Sequence, residues 1–156
     1  MILKTALFLS SLLLFFTIQL VSQTSITDKH PSGNSTQLPA IDTATVNKNV
    51  ETARKNFYSG GEVDTYIKLA RKQAKAIKYY TALAKTYNLE ANVLSRKGNY
   101  AEGFLMADSA LTIGKEIKDS ISMSLSYLLL GNLQCYMGKY GKGLDYYFKG
   151  LALEER

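Results

Sequence analysis

Side chains able to move a proton or hold a metal are scarce in this chain of 156 residues, which has one histidine, His30, and one cysteine, Cys135. A lone histidine excludes any two-histidine metal site, and a lone cysteine excludes an intramolecular disulfide. No glycine-rich phosphate loop, His-Glu-x-x-His pair, calcium loop or Gly-x-Ser-x-Gly elbow occurs. Most acid–base and nucleophilic schemes therefore lack their proton acceptor, and no catalytic residue, metal or cofactor is expected. Cys135, flanked by apolar residues, reads as a small packing residue.

Charge offers a second chemistry. The formal net charge of +6 lies wholly between Lys48 and Lys85, where nine basic residues face three acidic ones. Lys68, Arg71, Lys72, Lys75 and Lys78 fall on one broad helical arc opposite Ile67, Ala70, Ala74 and Ile77. Such an arc suits an anionic lipid surface or an acidic partner, which would put the chain near a membrane. The simpler reading is the solvated face of an amphipathic helix. Nucleic acid is not expected as a partner, because the N-terminus reads as an export signal.

That N-terminus is MILKTALFLSSLLLFFTIQLVSQ, with Lys4 ahead of an uncharged apolar stretch from Ala6 to Val21 and small polar residues after it. This is the layout of a secretory signal peptide, residues 1–22, cut near Ser22 and directing the chain to the periplasm or outside the cell. The alternative is an uncleaved membrane anchor over residues 6–21. No cysteine follows the apolar core, so no lipid attaches there. Residues 23–42 carry Pro31, Gly33 and Pro39 among Ser, Thr and Asn, and read as a flexible linker. His30 falls inside it as a solvated loop residue, and Asn34-Ser35-Thr36 matches a glycosylation acceptor that matters only in a eukaryotic secretory route.

An internal repeat organises the rest. Gly98-Asn99-Tyr100-Ala101-Glu102-Gly103 recurs forty residues later as Gly138-Lys139-Tyr140-Gly141-Lys142-Gly143. The same spacing pairs Tyr87 with Tyr127, Ala91 with Gly131, Leu111 with Leu151 and Ile113 with Leu153. Before the turn, Leu83, Tyr87, Ala91 and Leu94 step by four, four and three, a helical stripe; after it, Phe104, Ala107 and Leu111 do the same. A more degenerate copy precedes them, with Val46, Val50, Ala53 and Phe57 before Gly60-Gly61 and Ile67, Ala70 and Ala74 beyond. Three helix–turn–helix units follow, at about 43–79, 80–118 and 119–156, with Asp119 and Ser120 suited to cap the third.

These residues resemble the tetratricopeptide repeat, most clearly in the third unit as Tyr127, Leu130-Gly131, Gly138-Lys139-Tyr140, Gly143, Tyr147 and Gly150-Leu151. In the second, Tyr87, Ala91, Gly98-Asn99-Tyr100, Gly103, Ala107 and Ala110-Leu111 carry it. Small residues at Ala91, Gly103, Gly131 and Gly143 would let helix backbones approach closely while tyrosines fill the space between pairs. The pattern departs from the family at Gln134, in an aromatic slot, in lacking a closing proline, and in its longer period. Helices extended by Ile117-Lys118-Asp119 would account for that length. The long period is similar to exported tetratricopeptide segments that precede membrane helices and kinase or regulator domains in Bacteroidetes-type signalling proteins.

The resemblance implies an all-α fold, a right-handed α-solenoid of about three repeats, whose inner surface binds a peptide or protein segment. It would place Asn88, Asn92 and Arg96 of the second unit and Leu128, Asn132 and Tyr136 of the third on that surface. Asparagine amides both donate to and accept from an extended backbone, and tyrosine adds area with a polar tip. The expected function is a protein-interaction scaffold, the sensory front of a truncated signalling protein; the alternative is a membrane-attached structural element. A last helix carrying Leu144, Tyr147, Phe148 and Leu151 with nothing to cover it also predicts self-association.

Overall fold

In the computed structural model, which describes residues 41–154, the apolar stripes become six helices. These are α1 (Thr43–Ser59), α2 (Val63–Ala76), α3 (Tyr80–Arg96), α4 (Tyr100–Glu116), α5 (Ser120–Tyr136) and α6 (Tyr140–Glu154), with no strand among the described residues. They fall in pairs inside the three expected units, and all belong to the unit Pro39–Arg156. The expected signal segment and nearly all of the linker, His30 and Asn34 included, lie outside the described residues.

The ends of the helices explain the period. Residues 60, 78, 98, 118 and 138 all take left-handed backbone angles, and from residue 78 onward they recur every twenty residues. Three are glycines; the other two are Lys78 (φ 55°) and Lys118 (φ 56°). At each of the last four, the left-handed residue donates its amide three residues back and its successor donates five back, as in Gly98 to Ser95 and Asn99 to Leu94. This double bond satisfies carbonyls that the last helical turn leaves free. Ile117-Lys118-Asp119 is therefore a connection rather than a helical extension, and the forty-residue period comes from helices of 17 residues joined by three-residue turns. The first unit is shifted because α2 has only 14 residues.

Side-chain caps open two of the helices. Asp119 accepts from the amide of Ser122 at 3.2 Å and from its hydroxyl at 2.7 Å, as the sequence anticipates. Asp42, the last linker residue, accepts from the Thr45 amide at 2.7 Å, and that bond lowers its pKa below the usual carboxylate value. A lowered folded-state pKa means that the cap stabilises above the unfolded value and is lost as pH falls through the folded one.

Each helix packs on its successor, α1 also meets α3, α3 also meets α5, and α4 reaches α6 through the Phe104 and Tyr146 rings, whose centres lie 6.2 Å apart. Ala91, Ala107, Leu111, Leu129, Leu130 and Leu133 form the core of the second and third pairs, and Val46, Val50, Ala70, Ala74, Ala82 and Leu83 that of the first and second. Close approach depends on small residues. A Cβ on Gly103 would stand 3.1 Å from the carbonyl oxygen of Ala91, and one on Gly143 would stand 3.1 Å from that of Gly131 and 2.5 Å from Cys135 Sγ. The two sites are forty residues apart, so the same backbone contact recurs in both pairs.

Candidate functional site

The first helices of the three pairs, α1, α3 and α5, share one open face. A groove of about 410 Å³ runs across it. Val50 and Leu129 are its most buried apolar residues, half-buried Phe57 and Leu89 continue them, and Leu125 and Leu128 stand at the α5 side. Helical spacing explains the set. On α3, Lys85, Asn88, Leu89 and Asn92 step by three, one and three, and on α5 Leu125, Leu128, Leu129 and Asn132 repeat those steps forty residues on.

Four of the six residues placed by resemblance line this groove: Asn88, Asn92, Leu128 and Asn132. Arg96 and Tyr136 do not. The Arg96 guanidinium sits 4.7 Å above the Phe57 ring and donates to the Phe57 carbonyl at 2.8 Å, so it props the groove wall from outside. Tyr136 stacks on Tyr100 at 5.3 Å between ring centres, near the turns.

The asparagines differ in what they have to offer. The Asn92 side chain makes no hydrogen bond among the described residues and is half-buried, so its amide can both donate and accept. Asn132 Oδ1 accepts from the Tyr147 hydroxyl at 2.7 Å, leaving its NH₂ for a ligand. Burial raises the Tyr147 pKa above the usual phenol value, and Cys135 and Tyr136 add to the effect, which keeps that donor protonated. Asn88 is only 6% exposed and tied to α5 through Ser126 Oγ at 3.0 Å.

Ser126 Oγ also lies 2.8 Å from the Ser122 carbonyl, and a hydroxyl has one proton to give. If it goes to Ser122, the Asn88 amide must present NH₂ to Ser126, leaving Oδ1 as the group without a partner. If it goes to Asn88, the NH₂ is left. Either way one buried polar atom of Asn88 is unpaired beside the groove, which costs free energy until something pairs with it.

Charge at the groove is modest. Glu51 and Arg54 pair with each other at 2.7 Å on the rim. Lys85 is half-buried with no ion pair among the described residues, so it supplies the unneutralised cation. The lysine arc on α2 is smaller than expected, because Lys78 lies past the helix end in the left-handed turn and Arg71 is drawn inward: its guanidinium pairs with Glu90 and lies 4.4 Å over the Tyr87 ring. Lys68, Lys72, Lys75 and Lys78 remain exposed.

Sequence reasoning assigned no groove residue to the first unit. Aligning its turn glycine Gly60 with Gly98, thirty-eight residues apart, places Val50 with Asn88 and Arg54 with Asn92, and would have recovered both. Lys85 and Leu89 share the helical face of Asn88 and Asn92 and were legible in the same way. Among the described residues no group of His, Cys, Asp and Glu could hold a metal, and no helix is long and apolar enough to cross a membrane. Comparison with protein-family models, with curated proteins and with solved structures finds no match.

Proposed function

We propose that the three helix pairs form a right-handed α-solenoid of tetratricopeptide type whose α1/α3/α5 groove binds an extended peptide or protein segment without catalysis. The observation that carries this is the groove itself, where an apolar lining is interrupted by asparagine amides on two successive first helices, with Asn92 wholly unengaged. An extended segment has backbone donors and acceptors at regular spacing, which amides pair with, while its side chains fill apolar pockets. Lys85 favours a segment carrying a carboxylate near its centre.

A peptide library displayed on phage and selected against the chain supplies the probe. Asn92→Ala should weaken binding of a selected peptide about tenfold, the equivalent of one or two hydrogen bonds, with helicity and melting unchanged. Because Tyr147 depends on Asn132, Asn132→Ala should weaken binding and also lower melting slightly. Undiminished affinity in the Asn92 variant removes the groove assignment.

We further propose that the domain works outside the cytoplasm, as the apolar Ala6–Val21 stretch and the small residues after it suggest. The N-terminus of protein recovered from an exporting host should then begin near Ser22 or Gln23. Recovery of intact Met1 in the membrane fraction would instead favour the anchored structural element.

A further inference from the structure

The end of the domain formed by α5 and α6 has an apolar surface that earlier helices do not leave open. Forty residues earlier, Asn88 and Leu111 occupy the positions of Leu128 and Leu151 and are 6% and 4% exposed, because α5 covers them, while the position of Phe148 is held by Asp108, an exposed carboxylate. On α5 and α6, Leu128 is 50%, Phe148 66% and Leu151 52% exposed, with Leu125 and Leu144 close to half. A pocket of about 390 Å³ lies between Leu125 and Leu128 on one side and Phe148 and Leu151 on the other. Not one charged residue occurs in Ser120–Tyr136.

We infer that a second copy of this chain covers this face, in a two-fold dimer with α6 running antiparallel to α6 of the other copy. Leu144, Phe148 and Leu151 recur at steps of four and three, forming a ridge beside the Leu125/Leu128 hollow, so the surface carries both the knob and the hole a self-complementary contact needs.

The charges select the antiparallel arrangement. Asp145 and Lys149 are exposed on the same flank of the ridge, and neither makes an ion pair among the described residues. Lys149 only hovers 5.4 Å from the Tyr146 ring. A two-fold axis through the middle of α6 brings like flanks together in reverse order, so Asp145 of each copy faces Lys149 of the other. A parallel arrangement loses that match.

The far end of the domain argues against head-to-tail stacking. The outer surface of α1 presents Thr43, Thr45, Lys48 and Lys55, all exposed. Setting that polar surface on the apolar α5/α6 hollow would desolvate charges without partners. Association therefore closes at two copies. Leu125 and Leu128 line both this hollow and the groove, so the second copy borders the peptide-binding surface at its α5 edge.

Sedimentation equilibrium of the full chain, from about 1 to about 100 µM, tests this, since a dimer's population follows protomer concentration. The expected mass rises to twice the monomer and stops there. Phe148→Glu should give monomer throughout with unchanged far-ultraviolet dichroism. Asp145→Lys should weaken the dimer about tenfold by setting like charges against each other twice, and Asp145→Lys with Lys149→Glu should restore it. Monomer at every concentration overturns the proposal, as does mass growth beyond two. Association that survives Phe148→Glu places the contact elsewhere. Failure of the charge reversal to be rescued rules out the antiparallel geometry.

Discussion

Gly131→Ala should destabilise the domain by about 1 kcal/mol in urea unfolding, and the same substitution made together with Tyr147→Ala should lose that penalty and become stabilising. The reason lies in a size exchange between two equivalent sites. In the second pair the facing residues are Ala91 and Ala107, both fully buried. Forty residues on they are Gly131 and Tyr147, one smaller and one much larger. A Cβ built on Gly131 overlaps the Cδ1–Cε1 edge of the Tyr147 ring, closer than real Cβ contacts come. The ring cannot simply swing away, because its hydroxyl is held by Asn132 Oδ1.

The net figure combines two opposed effects. Overpacking a filled site costs roughly 1–3 kcal/mol, while alanine is better than glycine in a helix interior by about 1 kcal/mol. With the ring present the clash dominates. With Tyr147 truncated, only the helix preference remains, so Gly131→Ala in that background should stabilise by up to about 1 kcal/mol. Tyr147→Ala alone should cost about 2 kcal/mol, since the ring is only half-buried. Equal cost of Gly131→Ala in both backgrounds would mean that the two residues are not packed against each other.

Leu133→Ala should be the most damaging single truncation, about 3 kcal/mol, or roughly 15 °C in melting midpoint for a domain of this size. Leu133 is 0% exposed, and its Cδ2 fills the space over Gly103, standing 3.2 Å from where a Cβ there would lie. Removing it empties the seam where α4 crosses α5, and neighbouring backbones already in contact leave little room to close the void. Leu128→Ala provides the contrast. Half-exposed beside the groove, it should cost well under about 1 kcal/mol while weakening peptide binding. Comparable losses for the two leucines would show that the groove side of α5 is packed as tightly as its core.

Much of the helical layout is readable from residue types because glycine marks it. Gly60, Gly98 and Gly138 turn the chain inside each pair, and the apolar stripes between them set six helices. The turns between pairs were harder to read. Lys78 and Lys118 perform the same left-handed step as the glycines, but lysine carries no signal for it, so the twenty-residue half-period was hidden and Ile117-Lys118-Asp119 looked helical. At the groove, the resemblance put six residues on one surface, of which Asn88, Asn92, Leu128 and Asn132 line the groove and Arg96 and Tyr136 do not. It could not tell that Arg96 would fold back onto Phe57, or that Asn88 would be consumed largely by Ser126, because those outcomes depend on a neighbouring helix. The lysine arc lost Arg71 for the same reason: Glu90 and Tyr87 on α3 draw it inward.

Helices that touch only their next one or two neighbours in sequence leave few loops to close before native contacts form. Such a chain has low contact order, and folding can begin in any pair and spread to the others without waiting for its ends to meet. The converse holds for opening. The α3–α4–α5 centre, held from both sides, should exchange its amide hydrogens last, and the outer helices should open first by small, local events. Leu125 and Leu128, on the last of those central helices, thus present the groove's α5 edge from the slowest-opening part of the molecule, whereas Glu51 and Arg54 present the opposite edge from a helix free to detach and return.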